Sequence, residues 1–230
     1  MFSRFRQRSY RLERLDTGDY TPEEYAKWHR EMRVIHRVFG EMRALRPLIL
    51  HDVATVKGTV RILDIGAGSG ELLRAVRRWL GDRRAFLVGA ELNAKAARAI
   101  YCGSERGVID VLQCDALLMP FADDSFDFVY CSLFLHHLTD DLAVKLLREM
   151  SRVAARGIYI VDLHRSPVAY YFYRAVSRVV LQPFTREDGA LSILRSYKPA
   201  ELRSLAAEAG LSDIRVRRSA AYRLVLSGKK

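Results

Sequence analysis

The chain predicts an α/β fold: an open, mostly parallel seven-stranded sheet with helices on both faces. Three observations carry this. Apolar runs of strand length alternate with segments of helical spacing through the middle of the chain. A turn with three glycines at alternate positions, Gly66-Ala67-Gly68-Ser69-Gly70, joins the first run, Arg61 to Ile65, to the helical pattern Glu71 to Leu80. Two short runs at the end, Arg215-Val216-Arg217 and Tyr222 to Leu226, predict a terminal antiparallel hairpin.

The elements follow in order. Residues 1–20 hold five arginines in the first fourteen positions and predict a basic, poorly ordered arm. Thr21-Pro22-Glu23-Glu24 has the form of a helix start, with Thr as N-cap, Pro at N1 and Glu at N3. The helix runs to about Phe39, with Tyr25, Trp28, Met32, Ile35, Val38 and Phe39 at roughly helical spacing, and Gly40 interrupts it. A second helix spans Glu41 to about Val56, bent or restarted at Pro47. After the glycine turn and its helix come a strand at Ala85–Leu92, a helix capped by Asn93, and strands at Val108–Cys114 and Phe126–Leu133. A helix at Leu142–Val153, a fifth strand at Gly157–Leu163 and a helix at Pro199–Ala209, closed by Gly210, complete the alternation.

This divides the chain into four parts: residues 1–57 as basic arm and helical cap, 58–163 as core, 164–198 as an aromatic-rich cap insertion, and 199–230 as the end of the sheet. The insertion contains Tyr170-Tyr171-Phe172-Tyr173 and reads as a helix; Asp188-Gly189 reads as a turn. A connection this long usually has structure or function of its own. Both additions are expected to cover the ligand edge of the sheet.

Composition narrows the class. At 230 residues the chain is long enough for one domain with a sizeable core. No apolar run reaches the roughly 18 residues of a membrane helix, and the N-terminus has no apolar signal core. Cys102, Cys114 and Cys131 form no C-x-x-C pair. They predict reduced thiols, a cytoplasmic location and no metal site. The net charge is +11, but residues 51–194 hold 18 basic and 17 acidic side chains. The excess sits at the two ends, where it suits a solvated surface, a weak contact with an anionic membrane surface, or nucleic acid.

The glycine turn selects among cofactors. A dinucleotide fingerprint needs Gly or Ala where Glu71 stands, and a phosphate loop needs a lysine after Gly70. Glu91 ends the second strand 21 residues after Gly70 (91 − 70) and can accept hydrogen bonds from both hydroxyls of a ribose. Asp115-Ala116 ends the third strand 24 residues later (115 − 91); its carboxylate can accept an adenine amino group while Ala116 packs on the ring. Each residue also has a plainer use, as a strand–helix turn, a helix-start acid and a turn aspartate.

Acids at the ends of three successive strands, followed by Met119-Pro120-Phe121-Ala122-Asp123-Asp124-Ser125-Phe126-Asp127, resemble the class I S-adenosylmethionine-dependent methyltransferases. The similarity covers about residues 58–163. It is closest to the small-molecule branch of ubiquinone, menaquinone and secondary-metabolite enzymes. The resemblance implies a Rossmann-like sheet, S-adenosylmethionine as cofactor and a small apolar or aromatic acceptor, methylated on oxygen. It implies that Asp64, Gly66, Ala67, Gly68 and Gly70 hold the methionine part, Glu91 and Leu92 the ribose, Asp115 and Ala116 the adenine, and Ser132 and Leu133 the sulfonium. An RNA or DNA methyltransferase and a non-enzymatic S-adenosylmethionine-binding protein are the competing expectations. Against the first, Cys131-Ser132-Leu133-Phe134 stands where a nucleic-acid enzyme would carry Asn/Asp-Pro-Pro-Tyr/Phe.

A protonated hydroxyl acceptor needs a base, and histidine titrates in the right range. His136 and His137 follow the fourth strand and His164 follows the fifth. His164 and His137 are the expected catalytic residues, His137 having a structural imidazole bonded to backbone as its plainer use, and Asp162 either orients a base or merely ends its strand. His136 is expected to pack. Arg186 and Arg195 are read either as partners for an acidic or phenolate acceptor or as ordinary surface arginines. His29 and His36, two turns apart, share a helix face that either lines the pocket or packs.

Overall fold

A computed structural model describes the backbone of residues 3–39, 41–105 and 107–230, and the side chains of 4–35, 42–105 and 107–230. The break expected at Gly40 and the side chain of His36 lie outside the described residues. Strands β1 (Val60–Ile65), β2 (Ala85–Glu91), β3 (Ile109–Gln113), β4 (Phe126–Ser132), β5 (Ala154–Leu163), β6 (Ile214–Ser219) and β7 (Arg223–Lys229) form one seven-stranded sheet in the order β3-β2-β1-β4-β5-β7-β6. The first five strands pair in parallel; β5–β7 and β6–β7 are antiparallel. The order reverses at β1, so the carboxyl ends of β1, β2 and β4 surround a crevice, the usual ligand position of such sheets.

The sheet is apolar on both faces, as a buried parallel sheet requires. On one side Leu63, Ile65, Val129 and Cys131 pack against α6 (Asp140–Val153) and α9 (Pro199–Glu208). On the other, Ile62, Leu87, Phe128 and Tyr130 pack against α3 (Glu41–Val53), α4 (Glu71–Leu80) and Ile100 of α5 (Ala94–Gly103). Adjacent residues of β1 thus feed opposite cores, the two-residue period of a strand. Pro47 lies inside α3, which continues through it.

Local chemistry sets the ends of several elements. In α2 (Pro22–Phe39) the backbone N–H of Thr21 donates to Glu24 at 2.9 Å, and the N–H of Glu24 donates to the Thr21 hydroxyl at 3.2 Å. This is the reciprocal capping box. The Asn93 side chain accepts from the N–H groups of Lys95 and Ala96 and starts α5. No helix among the described residues is long and apolar enough to cross a membrane.

Two expectations are corrected. The N-terminal arm is not loose from Arg4 onward: Phe5 is buried against Tyr170 and Ile193, and residues Arg14–Thr17 form a short helix, α1. Arg8 is buried and inserts between α6 and the end of α8 (Pro183–Arg195). Its guanidinium donates to the carbonyls of Arg195 (2.8 Å), His136 (2.9 Å) and Leu138 (2.9 Å), to the Asp140 carboxylate (2.6 Å) and to the Tyr197 hydroxyl. It also lies 4.0 Å from the centre of the Tyr197 ring. Arginine density marked this stretch as solvated, but a guanidinium with five donors can satisfy a cluster of buried carbonyls.

The second correction concerns residues 164–198. They form two helices, α7 (Pro167–Val180) and α8, and Asp188-Gly189 is inside α8. Turn chemistry was misread because the Asp188 carboxylate serves another element. It accepts from the backbone N–H groups of Arg14 and Leu15, both at 2.9 Å, at the start of α1. Gly189 admits the Tyr173 ring, whose hydroxyl lies 2.1 Å from where a Cβ would stand. Arg8→Ala should therefore lower unfolding stability by about 2–4 kcal/mol, since it leaves several buried acceptors unpaired. Chemical denaturation checks this; a loss within the range of a surface substitution would mean the arm does not hold the fold.

Candidate functional site

A cavity of about 740 Å³ opens between the carboxyl edge of the sheet and helices α2, α7 and α8. Its floor is the glycine turn. Gly66 has φ +65°, and a Cβ there would stand 2.8 Å from the Phe134 ring, so the turn and Phe134, two residues past β4, exclude any side chain. Gly68 has φ +54° with open space where its Cβ would point. Leu133, at the end of β4, also takes a left-handed conformation, φ +51°, which costs free energy for a side chain of that size.

Of the residues singled out from sequence, Asp64, Gly66, Ala67, Gly68, Ser132, Leu133, His137 and His164 line this cavity. Gly70, Glu91, Leu92, Asp115 and Ala116 do not line it. Gly70 is the N-cap of α4, with φ +78°. Glu91 stands beside the floor: one oxygen accepts from the N–H of Gly68 and the other from the N–H of Asn93, both at 2.8 Å. Asp115 follows β3 and accepts from the N–H of Leu117 at 2.9 Å. Ala116 packs on the core, and Leu92 is exposed.

Asp64 is buried in the floor. Burial, with the Glu91 charge second, pushes its carboxyl up to about 8. His164 is half-buried at the cavity wall. Burial first, then the charges of Arg218, Arg165 and Lys198, depresses its pKa, so the imidazole is neutral at physiological pH.

The two histidines after β4 sit in a 3₁₀ turn, Leu135–His137, and each is held by an acid. Nδ1 of His136 is 2.6 Å from Asp162, which also accepts from the backbone N–H of His136 at 3.0 Å. Asp162 thus holds His136, the histidine expected to pack, and not one of the two expected to act as base. Nδ1 of His137 is 2.8 Å from Asp16. Burial raises the Asp16 carboxyl, but its hydrogen bond to His137 and that charge outweigh this and hold it below the ordinary carboxylate range. Glu13 enters the same place from the arm: its Oε1 lies 3.9 Å from Nε2 of His136 and accepts from the Ser192 hydroxyl at 2.9 Å. Burial lifts the Glu13 carboxyl to about 7.

Glu13 and Asp16 were not foreseen. They lie in the arginine-rich arm, where no periodicity shows what an acid would face. Arg195, read from sequence as either an acceptor ligand or an ordinary surface arginine, is buried. It donates to the carbonyls of Arg11 (3.0 Å), His136 (3.2 Å) and His137 (2.7 Å) and pairs with Asp16. Arg186 lines a separate polar cavity with Arg174 and Arg178. His29 lines the main cavity with its ring edge-on to Tyr25 and Trp28. His51 is exposed.

Asp64 makes a signed prediction. Its folded pKa is raised, so the folded chain holds a proton that the unfolded chain releases above about 3.8. Stability of the ligand-free protein should fall as pH rises from about 4 to about 8. Asp64→Asn should remove part of that decline, on the order of a few kcal/mol. Denaturation midpoints at pH 5 and pH 8 test it; parallel loss in both proteins would show that Asp64 is not held protonated.

A family profile described as a methyltransferase domain matches residues 63–161. The demethylmenaquinone methyltransferase of Roseiflexus castenholzii is 31% identical over 178 residues, 72% of this chain and 71% of that one. The ubiquinone/menaquinone biosynthesis C-methyltransferase UbiE of Xanthomonas oryzae is 35% identical over 130 residues, 54% of this chain and 49% of that one. Among solved structures, an S-adenosylmethionine-dependent methyltransferase from Aquifex aeolicus superposes with a TM-score of 0.59 over 86% of this chain and 97% of that one, at 18% identity, which bears on the fold. With the seven-stranded sheet and its glycine turn, these relatives make the chain a member of the class I S-adenosylmethionine-dependent methyltransferases.

Proposed function

We propose that the enzyme methylates a small, mostly apolar acceptor carrying a phenol- or quinol-type hydroxyl, at that oxygen. The observation that carries this is the two-sided cavity. Asp64, the glycine turn and Ser132 lie on one side; Trp28, Met32, Phe172, Val176 and Ile193 lie on the other, with His164 and His137 in the wall. The helices of 1–57 and 164–198 would then serve the acceptor, and residues 58–163 and 199–230 the cofactor.

The residues present fit S-adenosylmethionine. Open space at Gly68 lets a ligand touch the main chain. Asp64 is a buried acid whose pKa a bound cation would bring back down. A carboxylate has about four acceptor sites, so Glu91, with its two backbone bonds, keeps capacity for ribose hydroxyls. On this reading Asp64, Gly66, Ala67, Gly68 and Gly70 hold the methionine part, Glu91 and Leu92 the ribose, Asp115 and Ala116 the adenine, and Ser132 and Leu133 the sulfonium side. The cofactor supplies a methyl group on a positively charged sulfur. The protein's part is orientation, exclusion of water and removal of the acceptor's proton.

His164 is the base we favour. It is neutral, faces the cavity and opens the segment that covers it. His137 is the alternative, its Nδ1 engaged by Asp16. The relatives' names favour a second outcome, transfer to the ring carbon next to an ionised oxygen, which needs the same deprotonation. Exposed Val168 and Val179 on α7, the helix that bears Arg174 and Arg178, support weak contact with an anionic membrane surface. The buried Arg8 and Arg195 weaken the nucleic-acid reading, because part of the terminal positive charge is spent inside the fold.

Calorimetry should show S-adenosylhomocysteine binding and no NAD binding. With a naphthol or quinol acceptor, His164→Ala should lower kcat by ~10²–10⁴-fold with unchanged S-adenosylhomocysteine affinity, and the deficit should shrink for acceptors already ionised. Proton NMR of the product separates an O-methyl from a ring methyl. Normal turnover by His164→Ala across the pH range would eliminate it as the base.

A further inference from the structure

We infer that Glu13, His136 and His137 form a binding site for a divalent first-row transition-metal ion, opening into the acceptor cavity. The inference departs from the absence of a metal site expected from the cysteines, and it rests on reading that cavity as the acceptor site.

Three features support it. One ligand atom from each residue lies within 4.8 Å of the others, and Glu13 Oε1 is 3.9 Å from His136 Nε2. Ligands around such an ion sit about 2.0–2.2 Å from it, so closing by about 1 Å completes the set. Each imidazole has its Nδ1 engaged by a carboxylate, as metal-ligating histidines commonly do. Nδ1 of His136 is held by Asp162 at 2.6 Å and Nδ1 of His137 by Asp16 at 2.8 Å, which leaves Nε2 of both for coordination. Carboxylate–histidine pairs of this kind fix the tautomer and raise ligand basicity. Finally, all three residues line the cavity, so an ion held by them keeps open positions toward the acceptor.

Charge is compatible. Glu13, Asp16 and Asp162 bring three carboxylates to the cluster. Arg195, 3.8 Å from Glu13, sets one guanidinium against them, and Arg223 acts on Asp162 from further off. Two imidazoles and a carboxylate suit zinc, iron(II), cobalt or manganese rather than calcium. An ion here would take the acceptor oxygen and make its proton easier to remove. His137 becomes a ligand, and His164 remains the base.

Cobalt(II) is the probe, because its visible d–d bands report the donor set. The full chain, stripped with a chelator, should bind about one equivalent with nitrogen–oxygen bands and no thiolate charge transfer. Glu13→Gln and His137→Ala should abolish the bands, Asp16→Asn should weaken binding ~10–100-fold, and Cys102→Ser should change nothing. S-adenosylhomocysteine calorimetry on the same samples reports whether each variant is folded. If a ligand variant fails that control, the wild-type spectrum and Asp16→Asn decide. Wild-type protein that binds S-adenosylhomocysteine but shows no cobalt bands, or bands that survive His137→Ala, overturns the site and leaves the methyltransferase reading intact.

Discussion

The candidate site depends on two buried guanidinium groups. Arg195, at the end of α8, reaches the carbonyls of both histidines and of Arg11 and pairs with Asp16. Arg8 takes the neighbouring carbonyls of His136, Leu138 and Arg195. The 3₁₀ turn after β4 would otherwise bury carbonyls with no helical partner, at a cost of about 1–3 kcal/mol each. With both arginines in place, arm, histidine turn and α8 become one unit. A cavity wall assembled from three distant stretches needs such a clamp, because its parts share no strand or helix.

How much was legible in the sequence follows from the range of the forces involved. Local chemistry was readable. The Thr21 capping box, the Asn93 cap, the glycine turn and the buried parallel strands are fixed by residues within a few positions, and all appear in the structure. Strand ends differed by a few residues; β5 begins at Ala154, three before Gly157. Long-range polar contacts were not readable. Asp188 looked like a turn residue because Asp-Gly usually is one, yet its carboxylate caps a helix 173 and 174 residues away in sequence. Glu13 and Asp16 carried no signal, since their partners are histidines more than a hundred residues on. Asp162 could be read from sequence as an orienting acid or as a strand end, and only the fold shows that it meets His136.

Electrostatics divides the sheet's carboxyl edge into two regimes. Asp64 is desolvated beside another acid and is driven toward its neutral form. Asp162, as fully buried, is held below its ordinary value: burial raises it, but His136 and two backbone N–H groups more than offset this. The difference is partnership, not depth. The acid at β5 already has its cationic or donor partner and is a scaffold. The acid at β1 lacks one and is poised for a charged ligand. Glu13 lies between the two: Ser192 donates to it and Arg195 is 3.8 Å away, but burial outweighs both and lifts its carboxyl to about 7.

The positive ends of the chain then take on a different meaning. An excess of arginine in a sequence suggests an external anion, but Arg8, Arg165 and Arg195 are all buried at the junction of arm, sheet edge and cap. Arg165 bonds the carbonyls of Phe5 and Ser196 and pairs with Glu201. A buried arginine at a carbonyl-rich joint supplies several donors from one side chain, where a lysine would supply three and a neutral side chain fewer. The composition therefore reflects in part how an irregular, helix-poor arm is fastened over an apolar cavity. Sequestering that cavity from water strengthens each interaction made inside it, a condition that favours methyl transfer.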